Sequence, residues 1–253
     1  MQILKSLESR HREGKKSIAV LVDPDKVDDP DQLNPLIRLA NENCVDFFFV
    51  GGSLVTTANL GEVIKHIKEN VSIPVVIFPG SSLQIDPAAD ALLFLSLISG
   101  RNPDLLIGQH VIAAPILKNN KLEVMPTGYI LINSGKITSV AYISNTTPIP
   151  EDKYSLAACT ALAGEMLGLR LIYLDAGSGA ENEISPKMIS TVRKAVNVPL
   201  IVGGGINTSR KAIAALEAGA DLIVIGNALE KDPNLLTEIS DKVYDWNQDV
   251  TRS

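Results

Sequence analysis

LIVGGGINTSRKAIAALEAGADLIVIGNALE, residues 200–230, contains one full cycle of the pattern that decides the fold. A short apolar run, Leu200–Val202, ends in Gly203-Gly204-Gly205; an amphipathic stretch, Ser209–Gly219, follows; a second apolar run, Leu222–Ile225, ends in Gly226-Asn227. Short apolar runs without clean alternation are what parallel strands look like when both faces are buried, and their alternation with amphipathic segments implies right-handed crossovers. Working outward, the same cycle recurs through the chain. Strands are expected at Ser17–Val22, Val45–Val50, Pro74–Phe78, Ala91–Leu95, Tyr129–Ile132 and Leu171–Leu174. Helices are expected at Asp31–Asn43, Thr57–Asn70, Asp104–Asn119, Ser155–Gly168, Ser185–Ala195 and Asp232–Trp246. Eight strand–helix units in 253 residues predict a single-domain (β/α)8 barrel over residues 1–253 rather than an open doubly wound sheet. The rhythm is least regular over Ser99–Thr127 and Asn133–Glu151, so the middle of the barrel is expected to carry modified helices or long loops.

Composition removes several classes of function. The net charge is −6 and no basic run is long enough for a nucleic-acid face, so any phosphate must be held by local groups. The longest apolar-rich run, near Ala91–Ile98, is far shorter than the roughly 20 residues of a membrane-spanning helix. The amino-terminal MQILKSLESRHREGKK lacks the apolar block and cleavage site of a signal peptide, and a cytoplasmic location is expected. Cys44 and Cys159 have no C-x-x-C neighbour and read as buried, reduced thiols. His11, His66 and His110 lack metal-ligand spacing and read as solvated or hydrogen-bonded side chains.

In such a barrel the chemistry sits at the carboxyl ends of the strands. The turns there read Asp23-Pro24-Asp25-Lys26, Gly51-Gly52-Ser53, Pro79-Gly80-Ser81-Ser82, Ser99-Gly100-Arg101-Asn102, Asp175-Ala176-Gly177-Ser178-Gly179-Ala180, Gly203-Gly204-Gly205-Ile206-Asn207 and Gly226-Asn227-Ala228-Leu229. Glycine-rich turns after strands seven and eight commonly bind phosphate through exposed amides and a helix N-terminus. A tight βα turn needs glycine anyway, but two such turns in succession favour phosphate. Gly177-Ser178-Gly179 begins like a dinucleotide fingerprint, yet Asn182 stands at its last glycine position, and neither a Walker A sequence nor a G-x-S-x-G elbow occurs. Asp23, facing these turns, suits Mg²⁺, which takes one or two carboxylates plus water and substrate phosphate oxygens. Asp25, Asp28, Asp29 and Asp31 read as capping and surface charges. Arg101 and Asn102, placed at the end of strand four, are candidates to grip a diphosphate.

Together LVDPDK (Leu21–Lys26), FVGGS (Phe49–Ser53), FPGSS (Phe78–Ser82), SGRNPD (Ser99–Asp104), YLDAGSGA (Tyr173–Ala180), VGGGIN (Val202–Asn207) and IGNALE (Ile225–Glu230) resemble, in order along nearly the whole chain, the geranylgeranylglyceryl phosphate synthase family with its bacterial heptaprenylglyceryl phosphate synthase relatives. The resemblance implies a prenyltransferase that joins sn-glycerol 1-phosphate to geranylgeranyl diphosphate or a similar prenyl diphosphate and releases pyrophosphate. It implies Mg²⁺ at Asp23 and Ser53, and glycerol phosphate held by Tyr173, Leu174, Asp175, Ala176, Gly177, Ser178, Gly179, Gly203, Gly204, Gly226 and Asn227. Where the family usually has Glu as the base for the glycerol hydroxyl, this chain has Asp175; where some bacterial members have Lys, it has Leu21, read as barrel core. Asp104–Gly108 and His110–Ala113 could line a dry groove for the prenyl chain, or simply pack against the barrel. A homo-oligomer and transient membrane-surface contact for the lipid product are expected. The rival readings are another phosphate-handling barrel enzyme, such as a sugar-phosphate isomerase, and a non-catalytic phosphometabolite-binding barrel. Asp28-Asp29-Pro30-Asp31-Gln32 fails the aspartate-rich spacing of helical prenyl-diphosphate synthases.

Overall fold

The computed structural model describes residues 2–252; Met1 and Ser253, the outermost positions of the expected domain, fall outside them. Eight parallel strands close in sequence order: β1 (Ser17–Val22), β2 (Phe47–Gly52), β3 (Val75–Pro79), β4 (Ala91–Leu97), β5 (Glu123–Leu131), β6 (Leu171–Asp175), β7 (Leu200–Gly203) and β8 (Leu222–Ile225), with β8 pairing back to β1. Alternate residues divide the burial. Phe47, Phe49, Val76, Leu93, Tyr173, Ile201 and Val224 fill the inside of the barrel, while Phe48, Val50, Val75, Ile77, Leu92, Ile172 and Leu174 belong to the layer beneath the helices. Because both faces are apolar, the strands read as unbroken hydrophobic runs.

The outer helices are α2 (Asn34–Glu42), α3 (Leu60–Asn70), α4 (Gln109–Lys118), α6 (Tyr154–Met166), α7 (Pro186–Arg193), α8 (Ser209–Glu217) and α10 (Asn234–Arg252), with shorter α5 (Ser139–Ser144) and α9 (Ala228–Lys231) at strand ends. A π-helical turn, Asp104–Gly108, leads into α4. It and the short α5 are the irregular middle that the sequence anticipates.

A helix not expected from the sequence, α1 (Ile3–Arg12), closes the barrel floor. Ile3, Leu4 and Leu7 share one helical face and join the inner core. The Glu123 carboxylate accepts from the amides of Ile3 at 2.7 Å and Leu4 at 3.0 Å. Two amides that no helical turn can satisfy are thereby paired, and a negative charge meets the positive end of the helix. Glu123→Ala is expected to lose about 1 kcal/mol, the scale of a lost N-cap, which lowers Tm by about 2–4 °C in a chain of this size. Calorimetry on Glu123→Ala and Glu123→Gln checks this, the Gln variant, with one acceptor oxygen for two amides and no charge, recovering only part of the stability.

Three strands have a boundary that moves by two residues or more. β2 starts at Phe47 rather than Val45, β4 runs to Leu97, and β5 begins at Glu123 rather than Tyr129. Pro126, Thr127 and Gly128 hide the start of β5 by interrupting its apolar run. Thr127 is nevertheless fully buried, with its hydroxyl donating to Met125 O at 2.9 Å. β4 and β5 register from Ala91 opposite Glu123 to Leu97 opposite Tyr129, whereas β3 and β4 register only Val76 opposite Ala91 and Ile77 opposite Leu92. Above that point the wall of the barrel parts. Cys44 and Cys159 are free but exposed, contrary to the expectation of burial, because Cys159 falls on the solvent side of α6 and Cys44 sits in the turn after α2, at φ +50°.

Candidate active site

The strand ends enclose a bowl of about 870 Å³ at the top of the barrel. Asp23, Ser53, Tyr173, Asp175, Gly177, Ser178, Gly179, Gly204, Gly226 and Asn227 all line it. Leu174 and Ala176 are buried in the layer between strands and helices, so their side chains face away, and Gly203 lies against the Tyr173 ring, with a Cβ there coming to 2.5 Å from the Tyr173 hydroxyl. These three positions have only backbone to offer. Leu21 is half-buried, packs on the inner core and also forms part of the bowl wall.

Asp175 ends β6 and is buried. Gly177 N–H donates to its Oδ1 at 2.8 Å and the Tyr129 hydroxyl donates to its Oδ2. Burial raises the Asp175 pKa above the usual carboxylate value, and the two donated hydrogen bonds act against it. The Tyr129 and Tyr173 hydroxyls are held well above their ordinary value, first by burial and then by the Asp175 charge, so both stay protonated. Tyr173 stacks on Phe78 with centroids 5.3 Å apart, and Tyr129 meets Tyr173 edge-on at 5.4 Å. An aromatic wall thus surrounds one buried carboxylate. The sequence reading misses Tyr129, which lies two residues below its strand end; only the register, with Tyr129 opposite Tyr173 and Leu131 opposite Asp175, brings its hydroxyl to the carboxylate.

Neighbouring turns are tied to one another. Asn227 Oδ1 accepts from Lys26 Nζ at 2.7 Å and its Nδ2 donates to Ser178 Oγ at 3.3 Å, linking the turns after β8, β1 and β6. A Cβ on Gly80 would sit 2.4 Å from Gly52 O, so only glycine lets the turns after β2 and β3 lie this close. Gly204, at φ +80°, faces the amides of Ala176 and Gly177, where a Cβ would come within 2.8 Å.

Asp25 pins the loop that follows β2. The amides and hydroxyls of Thr56 and Thr57 donate to its carboxylate at 2.7–3.0 Å. Desolvation pushes the Asp25 pKa up, but these bonds outweigh it and hold the value at about 2. A depressed carboxylate stabilises above its unfolded value and loses that contribution as pH falls through its folded one. The Tm gap between wild type and Asp25→Asn should therefore be open at pH 5 and close as pH approaches 2, read from melts across that range.

Beside the bowl lies a second cavity of about 240 Å³. Ser53, Tyr129 and Ile143 line both, so the two meet at a junction. The second cavity is a channel through the parted wall between β3 and β4: it touches the inward side chains Leu93, Leu95 and Leu97 and the outward Leu92 and Phe94. Asp104, Leu105, Gln109, His110 and Ala113 cover it from outside, whereas Ile107, Val111 and Ile112 point to solvent. Asn102 lines its mouth, with Nδ2 donating to Ser144 O at 2.9 Å. Arg101 is exposed and turns back on its own loop, donating to Gly100 O at 2.7 Å. Ser81 and Ser82 also face the channel.

At the mouth of the closed eight-stranded barrel a glycine-rich bowl thus joins an apolar channel. The chain belongs to the PcrB family, whose model matches residues 11–244. It is 58% identical over 95% of its length to the geranylgeranylglyceryl phosphate synthase of Spirosoma linguale, covering 96% of that protein, and 44% identical over 84% to that of Thermococcus kodakarensis, covering 83%. Its structure matches that of (S)-3-O-geranylgeranylglyceryl phosphate synthase from Thermoplasma acidophilum in complex with the substrate sn-glycerol-1-phosphate, with TM-score 0.90 and 33% identity over 97% of this chain and 99% of that one. No helix among the described residues is long and apolar enough to cross a membrane.

Proposed function

We propose that the chain joins sn-glycerol 1-phosphate to geranylgeranyl diphosphate, or a prenyl diphosphate of similar length, through an ether bond with release of pyrophosphate. The observation that carries this reading is the junction of the polar bowl with the apolar channel at Ser53, Tyr129 and Ile143. The names of the relatives and the ligand of the Thermoplasma structure support it. Glycerol phosphate is assigned to the bowl, where the turns Tyr173–Gly179, Gly203-Gly204 and Gly226-Asn227 offer backbone donors that stabilise a dianion with little reorganisation. The prenyl tail is assigned to the channel, with its diphosphate at the junction beside Asn102. Arg101 would reach that diphosphate only by leaving Gly100 O.

Asp175 is assigned the proton of the attacking hydroxyl. As the glycerol oxygen bonds to the allylic carbon, the bond from that carbon to the diphosphate oxygen breaks, the leaving group keeps the electron pair, and the proton passes to the carboxylate. The Tyr129 hydroxyl and Gly177 amide fix the carboxylate for this transfer.

Mg²⁺ fits the oxygen donors of Asp23 and Ser53. Both line the bowl, and a Cβ on the intervening turn residue Gly52 would lie 3.6 Å from Asp23 Oδ1, so the carboxylate stands alongside that turn. Among the described residues no three His, Cys, Asp or Glu side chains come together, so a bound ion would share its shell with substrate and water. When bound, Mg²⁺ supplies charge stabilisation to the departing diphosphate.

The expected membrane-surface contact and homo-oligomer both call for an exposed apolar face, and Ile107, Val111, Ile112 and Ile116 provide one beside the channel. The deciding assay incubates the protein with Mg²⁺, prenyl diphosphates of graded length and either sn-glycerol 1-phosphate or sn-glycerol 3-phosphate, then identifies products by mass spectrometry. An ether product from the 1-phosphate is expected. Its absence with every diphosphate overturns the reading and leaves a phosphometabolite-binding barrel; a sugar-phosphate isomerase has no use for the channel.

A further inference from the structure

Asp23 and Ser53 follow neighbouring strands, but the sheet does not set the space between them. The ladder of β1 and β2 ends at Val22 opposite Val50, short of both residues. β2 stays paired to β3 as far as Gly52 opposite Pro79, and Ser53 O packs against Gly80, where an added Cβ would come to 2.5 Å. Ser53 is thus held on its β3 side by the barrel itself. On the β1 side the loop from Ser53 to Asn59 has no regular structure of its own, and side chains hold it.

Two side chains do so. Asp25 follows Asp23 on the same short 3-10 turn, which Pro24 and the bond from Asp25 N–H to Asp23 Oδ1 keep in shape. The Asp25 carboxylate lines neither the bowl nor the channel. It reaches across to four donors, the amides and hydroxyls of Thr56 and Thr57. A carboxylate has about four lone-pair sites, so little is left over for an ion. Asn59 ties the end of the loop that enters α3, its Nδ2 donating to Pro24 O at 3.0 Å and Val27 O at 2.9 Å. Thr57 Oγ1 also lies 2.7 Å from Asn59 Oδ1, so its one proton is shared between the two acceptors. The stretch next to Ser53 therefore depends on Asp25, while the base of the loop keeps a second tie.

We propose that Asp25 is a positioning residue: by drawing the loop after β2 against the turn after β1, it fixes the distance at which Asp23 and Ser53 present their oxygens to a cation, without touching ion or substrate itself. The proposal rests on the assignment of Mg²⁺ to that pair. Mg²⁺ is small and demands near-ideal ligand geometry. Without the strut, Ser53 keeps its anchor on β3 but is no longer held to Asp23, and an arriving ion must order the loop as it binds. Affinity for the ion falls, while the glycine turns across the bowl are unaffected.

Mn²⁺ in place of Mg²⁺ is the probe. Each protein is saturated with geranylgeranyl S-thiolodiphosphate, an unreactive analogue, and free Mn²⁺ is read by electron paramagnetic resonance at a temperature where circular dichroism shows the barrel intact. Asp25→Asn leaves one acceptor oxygen for the Thr56 and Thr57 donors; Asp25→Glu keeps the charge but sets both oxygens one methylene further out. Both are expected to weaken Mn²⁺ about tenfold, the lower end for losing a group that orients a metal ligand. The Mg²⁺ concentration for half-maximal turnover should rise by a similar factor, with KM for sn-glycerol 1-phosphate close to wild type. Glu123→Ala, which loosens the barrel floor, should bind Mn²⁺ as wild type does; equal weakening there would reduce the effect of Asp25 to one of stability and overturn the proposal. Wild-type affinity in both Asp25 variants overturns it too, and so does wild-type affinity in Asp25→Glu alone, because charge at a distance then accounts for the Asn variant. If Asp23→Asn binds Mn²⁺ as tightly as wild type, it is the metal assignment that fails.

Discussion

Asp175→Asn should lower kcat by about 10²–10⁴-fold, the range for loss of a general base, while KM for both substrates stays close to wild type. An interaction made only in the transition state lowers kcat and kcat/KM together. Asparagine has nearly the shape of aspartate, but its single oxygen cannot accept from both Tyr129 and Gly177, and it cannot take up a proton. The pH profile distinguishes the base from a merely structural carboxylate. Burial raises the pKa of Asp175, so the acid limb of kcat should lie above the range of an ordinary carboxylate. The hydrogen bond from Tyr129 favours the ionised form; Tyr129→Phe removes it, and the limb should move to still higher pH with part of the turnover retained. A limb in Tyr129→Phe that does not move, or an Asn variant with near-wild-type turnover, would leave Asp175 without a part in proton transfer.

Asp23→Asn should cost about 10²-fold in turnover, the lower end for removal of one preorganised electrostatic group. The local backbone is expected to survive. Asp23 Oδ1 caps the short 3-10 turn Pro24–Lys26 by accepting from Asp25 N–H at 3.2 Å, and asparagine caps about as well as aspartate. What is lost is the charge opposite the glycine turns. Titration of activity with Mg²⁺ should show the variant needing much more of the ion, and circular dichroism should show an unchanged barrel. Full activity of wild type in excess EDTA would contradict the metal assignment.

The barrel is legible in the sequence because parallel strands buried on both sides leave uninterrupted runs such as Leu200–Val202 and Leu222–Ile225, and because active-site turns must follow them. What local sequence does not carry is how side chains meet across strands. Tyr129 lies 46 residues from Asp175 and below the turn where functional residues are sought, and its part depends wholly on the register of β5 against β6. Glu123 is hidden for the same reason, since its partner amides are those of α1, at the other end of the fold's contacts. The exposed cysteines show the converse: free cysteine is usually buried, and that general tendency says nothing about which side of a helix Cys159 occupies.

The parting of β3 from β4 gives the molecule a side door. A twenty-carbon tail brought to the mouth of an intact barrel would have to be threaded end-first into the closed interior. Here β4 has parted from β3, so a tail in the channel proposed for it is separated from solvent by the Asp104–Gly108 turn and the start of α4 rather than by a strand. Departure of a bulky lipid then depends on how readily the Asp104–Gly108 turn and α4 swing away from β4, so the pace of the whole cycle can be set by an element that never touches the reacting atoms.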